Sequence, residues 1–293
     1  MLAGVLAMVA AVAALFGVPH RTASGREASA AGTTGPTASA LPTPVPREPA
    51  TLAAAFDHAQ RVIDDPSSSS DDLQSAGQFE QLAIAELAGS RGRQRTVLSH
   101  LTGAAAATLR TDLAAASALG RLNTPRKTLP PWKIVAPPAP PALLGYFKAA
   151  QARYGVPWQD LAAIELIETD FGRVVGLSMA GAEGPMQFMP ATWAEYGTGN
   201  VHRQRDAIFA AARFLIANGA PRDMAGAIYH YNPSSDYVRV VRSYAARMSA
   251  DPRAFYGYYY WQVILARVDG RVILPLGFPK VRPVPLSRVI GRA

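Results

Sequence analysis

The chain of 293 residues contains no cysteine. That absence excludes disulfides, thiolate metal sites, a cysteine nucleophile and lipidation at cysteine. Histidine is scarce too, with five residues and no His-x-x-x-His or similar pair, so no metal site is expected. Charged residues make up only 17% of the chain against 49% hydrophobic, which argues against a largely disordered or collagen-like protein. The length suits one large or two modest domains with a buried core. Acidic residues are sparse at one end. Residues 251–293 hold seven basic and two acidic groups, while 142–250 hold 10 and 9 and 1–141 hold 12 and 10. The last segment therefore supplies five of the eight excess positive charges. Nucleic-acid binding calls for a basic, aromatic-studded face on the folded part, so no nucleic-acid partner is expected. A basic C-terminal tail suits an anionic wall polymer or a membrane surface at least as well.

No formal charge occurs from Met1 to His20, and Leu2–Val18 is an almost unbroken apolar run. Alanine-x-alanine sites follow at Ala28-Ser29-Ala30 and Ala38-Ser39-Ala40. The positive residue that normally precedes such a run is missing, yet the pattern reads as an export signal or retained anchor over 1–30. An extracytoplasmic protein, secreted or membrane-anchored, is expected. From Arg21 to Ala50, 23 of 30 residues are Ala, Gly, Ser, Thr or Pro, so residues 31–51 are expected to be a disordered linker.

Helical periodicity then appears over 52–123, broken at Asp64–Asp72 and Gly89–Gly92, which predicts a small scaffolding helical subdomain. Prolines at 130, 131, 137, 138, 140 and 141 predict a stiff extended connection over 124–141. A second helical domain is expected over 142–250, with the turn Tyr154-Gly155-Val156 ahead of Pro157. Residues 251–293 read as an aromatic β-hairpin and basic tail: Tyr258–Arg267 out, Asp269-Gly270 as the turn, and Val272–Leu274 back. The expected fold class is mainly α.

The most informative stretch is Trp158–Gly172, WQDLAAIELIETDFG. On a wheel of about 100° per residue with Ile164 at the origin, Leu161 lies near 60°, Ile167 near 300° and Phe171 near 340°. Glu168 falls at about 40°, inside this apolar stripe, while Glu165 sits at its edge and Asp170 well off it. Desolvation raises the proton affinity of a carboxylate, and this is how an enzyme keeps a general acid protonated near neutral pH. Periodicity alone leaves open a salt bridge from Glu168 to a nearby arginine.

Gly172–Trp193 then reads GRVVGLSMAGAEGPMQFMPATW. Closely spaced glycines allow a shaped loop and close backbone approach to a ligand. Ser178 and Gln187 alternate with Met179, Met186, Phe188 and Met189, offering both hydrogen bonds and apolar surface, as a sugar requires. Further on, Tyr231-Asn232 closes a helix and Tyr237 follows. Asp206 is expected to cap a helix over Ala207–Ala217.

Three of these segments resemble the signature motifs of lytic transglycosylases, the lysozyme-like enzymes that cleave bacterial peptidoglycan. They are Glu168-Thr169 with Gly172, then Gly184-Pro185-Met186-Gln187-Phe188-Met189-Pro190, then Tyr231-Asn232. All three occur in order over roughly 143–248, about a third of the chain, and their form is closest to the membrane-bound-type and actinobacterial branch. Pro233 and Ser234 depart from the small residues and glycine common after the third motif.

The resemblance implies a lysozyme-like α-helical catalytic domain, acting as a monomer on peptidoglycan glycan strands with no cofactor. Glu168 would protonate the oxygen linking N-acetylmuramic acid to N-acetylglucosamine. It would then accept the proton of the muramic acid C6 hydroxyl, giving a 1,6-anhydro end without a second carboxylate. Glu168 is the expected catalytic residue; Gln187, Met186, Phe188, Tyr231, Asn232, Tyr237 and Ser178 are the expected substrate-binding residues. Thr169 is expected to make local hydrogen bonds, and His230 to lie in the core or at a rim. The residues leave two other readings open: a goose-type lysozyme-like hydrolase, and a non-catalytic wall-binding protein of the same fold.

Overall fold

The computed structural model describes residues 44–290, so the expected signal or anchor over 1–30 and most of the linker over 31–51 lie outside the described residues. The chain is mainly helical, as expected. Helix α1 (Pro49–Asp64) starts a little before the expected boundary, because Pro49 suits a first turn and the Glu48 carboxylate caps the N–H groups of Ala50 and Thr51. The predicted break after Asp64 is a short turn ended by a capping box, Ser69 with Asp72, which opens α2 (Ser70–Leu87). Ser90 caps α3 (Arg91–Ser99), and α4 (Gly103–Leu122) follows.

The proline-rich connection contributes a short strand, β1 (Lys133–Ile134). It ends earlier than expected. Pro140 and Pro141 open α5 (Pro140–Tyr154), since proline lacks an N–H where the first turn would not use one. Gly155, with φ of 74°, closes α5 in the left-handed conformation. Then come α6 (Trp158–Thr169), β2 (Val174–Val175), α7 (Pro190–Tyr196), α8 (Gln204–Ala217), α9 (Met224–Tyr231), α10 (Ser235–Ala250) and α11 (Ala254–Tyr259). The chain finishes with β3 (Val263–Arg267), β4 (Gly270–Leu274), β5 (Val284–Pro285) and a 3-10 turn at Leu286–Arg288. β1 pairs antiparallel with β2, and β3-β4-β5 form an antiparallel sheet.

Four readings need correction. First, the aromatic run Tyr258-Tyr259-Tyr260 ends a helix instead of starting a strand; rings at helical spacing pack inward around Phe255 and Trp261. The hairpin exists, but Arg267 pairs with Gly270, so Val268-Asp269 make its turn. Second, residues 251–293 are no appendage. Phe255, Tyr258, Trp261, Ile264 and Leu286 belong to the main core. Much of their positive charge is also engaged: Arg253 bonds the Ile63 carbonyl, Arg267 pairs with Asp269, and Arg271 bonds the Ala85 carbonyl. Third, Asp206 lies within the first turn of α8 and accepts from the Asn200 N–H (3.1 Å), because that helix starts at Gln204. Fourth, α6 has no polar face. Packed against α5, α8, α10 and α11, it is buried at every residue but Gln159. Glu165 and Asp170 are therefore as deeply enclosed as Glu168. A wheel ranks positions against one partner surface, and α6 has four.

One continuous core runs from Val45 to Ile290, so α1–α4 are built into the same body as the domain expected over 142–250. A buried polar chamber joins them. Arg247 of α10 donates to Asp112 Oδ2 (2.7 Å), Glu80 Oε1 (2.6 Å) and Gln60 Oε1 (2.9 Å). The Tyr258 hydroxyl donates to Asp112 Oδ1 (2.7 Å), and the Trp261 indole N–H to Glu80 Oε2 (3.2 Å). Burial pushes Asp112 up to about 7 although the Arg247 charge opposes the shift. Residues on α1, α2, α4, α10 and α11 thus satisfy one another around a single guanidinium.

Candidate active site

Helix α6 carries Glu168 one residue before its C-terminal end, where the chain turns sharply through two left-handed residues, Asp170 (φ 52°) and Phe171 (φ 60°). Such conformations are uncommon for non-glycine residues and mark a site where surrounding packing dictates the backbone. Thr169 holds the turn. Its hydroxyl donates to the Pro185 carbonyl (2.5 Å) and accepts from the Gly172 N–H (2.9 Å), tying the first motif to the second. This is the local bonding role expected of it. The second motif folds back on itself, with Glu183 and Phe188 exchanging backbone hydrogen bonds at 2.9 Å across Gly184. Gly184 is required there: its φ is 76°, and a Cβ would fall far inside contact distance of the Val201 carbonyl oxygen.

Glu168 is 0% exposed. Among the described residues no guanidinium lies against it; the Tyr237 hydroxyl donates to Oε1 at 2.7 Å, and Oε2 has no hydrogen-bond partner there. Burial raises its pKa to about 8, with the tyrosine bond opposing the shift. At neutral pH the carboxyl is therefore neutral. A proton on Oε2 faces no acceptor, so it is an unsatisfied donor available to an incoming oxygen. Because the carboxyl is fully enclosed, any substrate must displace part of its surroundings to reach it.

The third motif arrives from α9. The Tyr231 hydroxyl donates to the Met186 carbonyl (2.5 Å), and its ring packs edge-on against Phe188 (6.1 Å) and Phe214 (5.3 Å). Met186 is wholly buried, so its backbone carbonyl is its contribution, while Phe188 is a core ring that also borders a depression beside Tyr231. Gln187, Met189, Thr192 and His230 complete that depression, which puts His230 at a rim. Gln187 adopts φ of 48° and donates through Nε2 to the Gly184 carbonyl (2.9 Å), so its amide braces the loop. Its buried Oε1 makes no hydrogen bond and remains open to a donor. Asn232 is the C-terminal cap of α9, and its N–H donates to the Ile228 carbonyl (3.1 Å).

Glu168 and Tyr237 are therefore in contact, and the Tyr231–Met186 bond joins the second and third motifs beside them. Ser178 stands apart. Its hydroxyl accepts from the N–H groups of Ala180 (3.2 Å) and Ala182 (2.9 Å), closing a tight loop that borders a different groove, against Trp132. The sequence reading missed the depth of Glu165 and Asp170. Burial raises Glu165 well above the usual carboxylate range and Asp170 to about 7; only Arg173, 3.8 Å away, opposes the latter. It also missed Gln204, whose amide N–H donates to the Phe171 carbonyl (3.0 Å) and supports the turn after Glu168. No sequence signal marked Gln204. Among the described residues, no group of three or more His, Cys, Asp or Glu side chains could hold a metal ion, and no helix is long and apolar enough to cross a membrane. No family model, curated protein or solved structure matches the chain.

Proposed function

We propose that this protein is a peptidoglycan lytic transglycosylase of lysozyme-like fold, with Glu168 as its single acid and base. The observation that carries the reading is a buried, neutral carboxyl with one tyrosine donor and one vacant oxygen, at the point where three distant segments meet. Neutral Glu168 gives its proton to the glycosidic oxygen, and the bond to the muramic acid anomeric carbon breaks. The substrate's own N-acetyl group steadies the positive charge on the ring. Glu168, now a carboxylate, receives the C6 hydroxyl proton as that oxygen bonds to the anomeric carbon, and the 1,6-anhydro ring closes without water. Tyr237 keeps its bond to Oε1 throughout and stabilises the carboxylate midway. The same residue must be protonated in one step and ionised in the next, which suits a pKa near the working pH.

Glu168→Gln keeps the shape of the side chain and removes the transferable proton. The variant should retain its fold and lose lysis of peptidoglycan sacculi. Mass spectrometry of the fragments released by the wild type should show anhydromuramic ends. Full lytic activity in the glutamine variant removes Glu168 from the mechanism; reducing ends in place of anhydro ends replace the transglycosylase with a hydrolase.

A further inference from the structure

Three segments distant in sequence come together around β1. The Ile134 N–H donates to the Phe278 carbonyl and the Ile134 carbonyl accepts from Gly277 on one side, while β2 pairs on the other. Their inner side chains, Trp132, Ile134, Val174 and Phe278, pack into a second small core under the β3-β4-β5 sheet. The outer face is unusual in two ways. Six of the nine large apolar side chains most exposed among the described residues stand on these segments: Val135, Val175, Leu177, Met179, Leu276 and Val281. Of these six, Leu177 and Met179 project furthest, at 60% and 67% exposure. Further, residues 124–136, 173–182 and 275–288 contain no aspartate or glutamate. Lys133, Lys280 and Arg282 stand exposed among the apolar side chains. Glu183, which follows the second segment, faces His202, and Asp269, which precedes the third, pairs with Arg267.

Between the proline-rich segment and the Leu177–Met179 loop lies a groove of about 410 Å³ lined in part by Arg126, Trp132 and Ser178. The Arg126 guanidinium lies 5.1 Å from the Trp132 ring centre, half-buried, and among the described residues no carboxylate pairs with it. A half-buried cation without an anion is a vacancy for one.

We propose that this face docks on the surface of an anionic lipid bilayer, with Leu177 and Met179 entering the interface and Arg126 taking a headgroup phosphate. Lys133, Lys280 and Arg282 meet neighbouring phosphates. Aliphatic side chains ringed by lysine and arginine match a membrane surface, where apolar insertion and attraction to acidic headgroups add together. A soluble polyanion would use the charges and leave Leu177 and Met179 idle. A carbohydrate surface would present exposed aromatic rings, and this face has none. The inference stands apart from the glycan reading, because its test needs no turnover.

The cysteine-free chain permits a direct test. Met179→Cys and, as a second probe, Leu177→Cys in the full chain are labelled with an environment-sensitive nitrobenzoxadiazole fluorophore. Ser99→Cys on α3 serves as a control away from this face. Vesicles of phosphatidylcholine with phosphatidylglycerol should blue-shift the probes at 179 and 177 and leave the one at 99 unchanged, even if another segment also holds the chain to the bilayer. Adding Lys133→Gln and Lys280→Gln should raise the half-saturating lipid concentration about 25-fold, at about fivefold per charge. Unshifted probes at both 177 and 179 overturn the proposal. So does an equal shift with phosphatidylcholine alone, or a shift produced by soluble polyphosphate or glycan fragments without lipid.

Discussion

Replacing Arg247 with methionine takes the cation out of a chamber that encloses Glu80 and Asp112, both 0% exposed. Three hydrogen bonds of 2.6 to 2.9 Å are lost, and two carboxyls are left in an apolar interior. Breaking a buried ion pair by removing one partner costs about 3–5 kcal/mol. At about 2–4 °C per kcal/mol for a domain of this size, the melting temperature should fall by about 10 °C at pH 8. The sign of the pH dependence follows from the stranded acids. Without the guanidinium they fold best as neutral groups, so the folded state holds protons that the unfolded chain has already released. The variant's deficit should therefore grow as pH rises from about 4.5, where the unfolded carboxyls still keep part of their protons, to 8. Calorimetry of wild type and variant at those two pH values measures the difference. Adding Glu80→Gln and Asp112→Asn to the methionine variant removes the charges at nearly constant shape and should restore most of the loss at pH 8. A deficit below about 1 kcal/mol, or one that is equal at both pH values and unmoved by the amides, would refute the claim that this chamber locks α1–α4 to α10 and α11.

Tyr237→Phe deletes the donor that opposes the rise at Glu168, so the alkaline limb of lytic activity should move above about 8 and stability should drop by about 1 kcal/mol; a pH–rate profile reads the first and denaturant unfolding the second. Wild-type stability should fall as pH climbs from about 4.5 to about 8, because folded Glu168, Glu165, Asp170 and Asp112 keep protons that the unfolded chain gives up, and Glu168→Gln should make that slope shallower by the share of one proton in urea titrations. Gly184→Ala forces a Cβ against the Val201 carbonyl at a φ of 76° and should cost about 2 kcal/mol or more in melting experiments. Truncation after Ala250 deletes Phe255, Tyr258 and Trp261 from the core, and circular dichroism should find the shortened chain unfolded.

What the sequence made legible was periodicity, punctuation and local chemistry. The helices, the hairpin and the left-handed stop at Gly155 all follow from short-range patterns that packing then reinforced. Thr169, expected to make local hydrogen bonds, accepts from the Gly172 N–H three residues on. The boundaries moved where one residue type has two meanings. Pro140 and Pro141 read equally as the end of an extended segment and as a first helical turn, and only the docking of α5 decides between them. The aromatic run 258–261 has strand propensity, but its neighbours on α2, α4 and α10 offer a pocket that accepts it as a helix end. Long-range partnerships left no local trace at all. Nothing near Arg247 in the chain announces Asp112, 135 positions away, and nothing near Gln204 announces the Phe171 carbonyl. Of the basic groups after residue 250, Arg253 and Arg271 are held against backbone carbonyls while Lys280 and Arg282 stand exposed, a difference that composition cannot tell.

Two sets of buried acids among the described residues are treated differently, and the contrast bears on function. Around Arg247, each carboxylate oxygen finds a donor: guanidinium, tyrosine, indole or amide. Such burial is structural, since its desolvation is offset by complete hydrogen bonding. At the end of α6, the fold leaves Asp170 and one oxygen of Glu168 without hydrogen bonds, and Glu165 has only the Gln204 amide to oppose its burial. Each is pushed toward the neutral form, at a cost that hydrogen bonds do not offset. A fold that can supply donors to Glu80 and Asp112 could have supplied them here. Glu168 accepts a hydrogen bond from a tyrosine on a different helix and lies where Thr169 binds the second motif loop. Glu165 is held well above the usual carboxylate range, while Asp170, raised to about 7 with Arg173 beside it, gives up its proton before Glu168 does at about 8. The instability of this corner is therefore the physical counterpart of its chemistry: a proton that no neighbouring acceptor holds is one that a substrate oxygen can take.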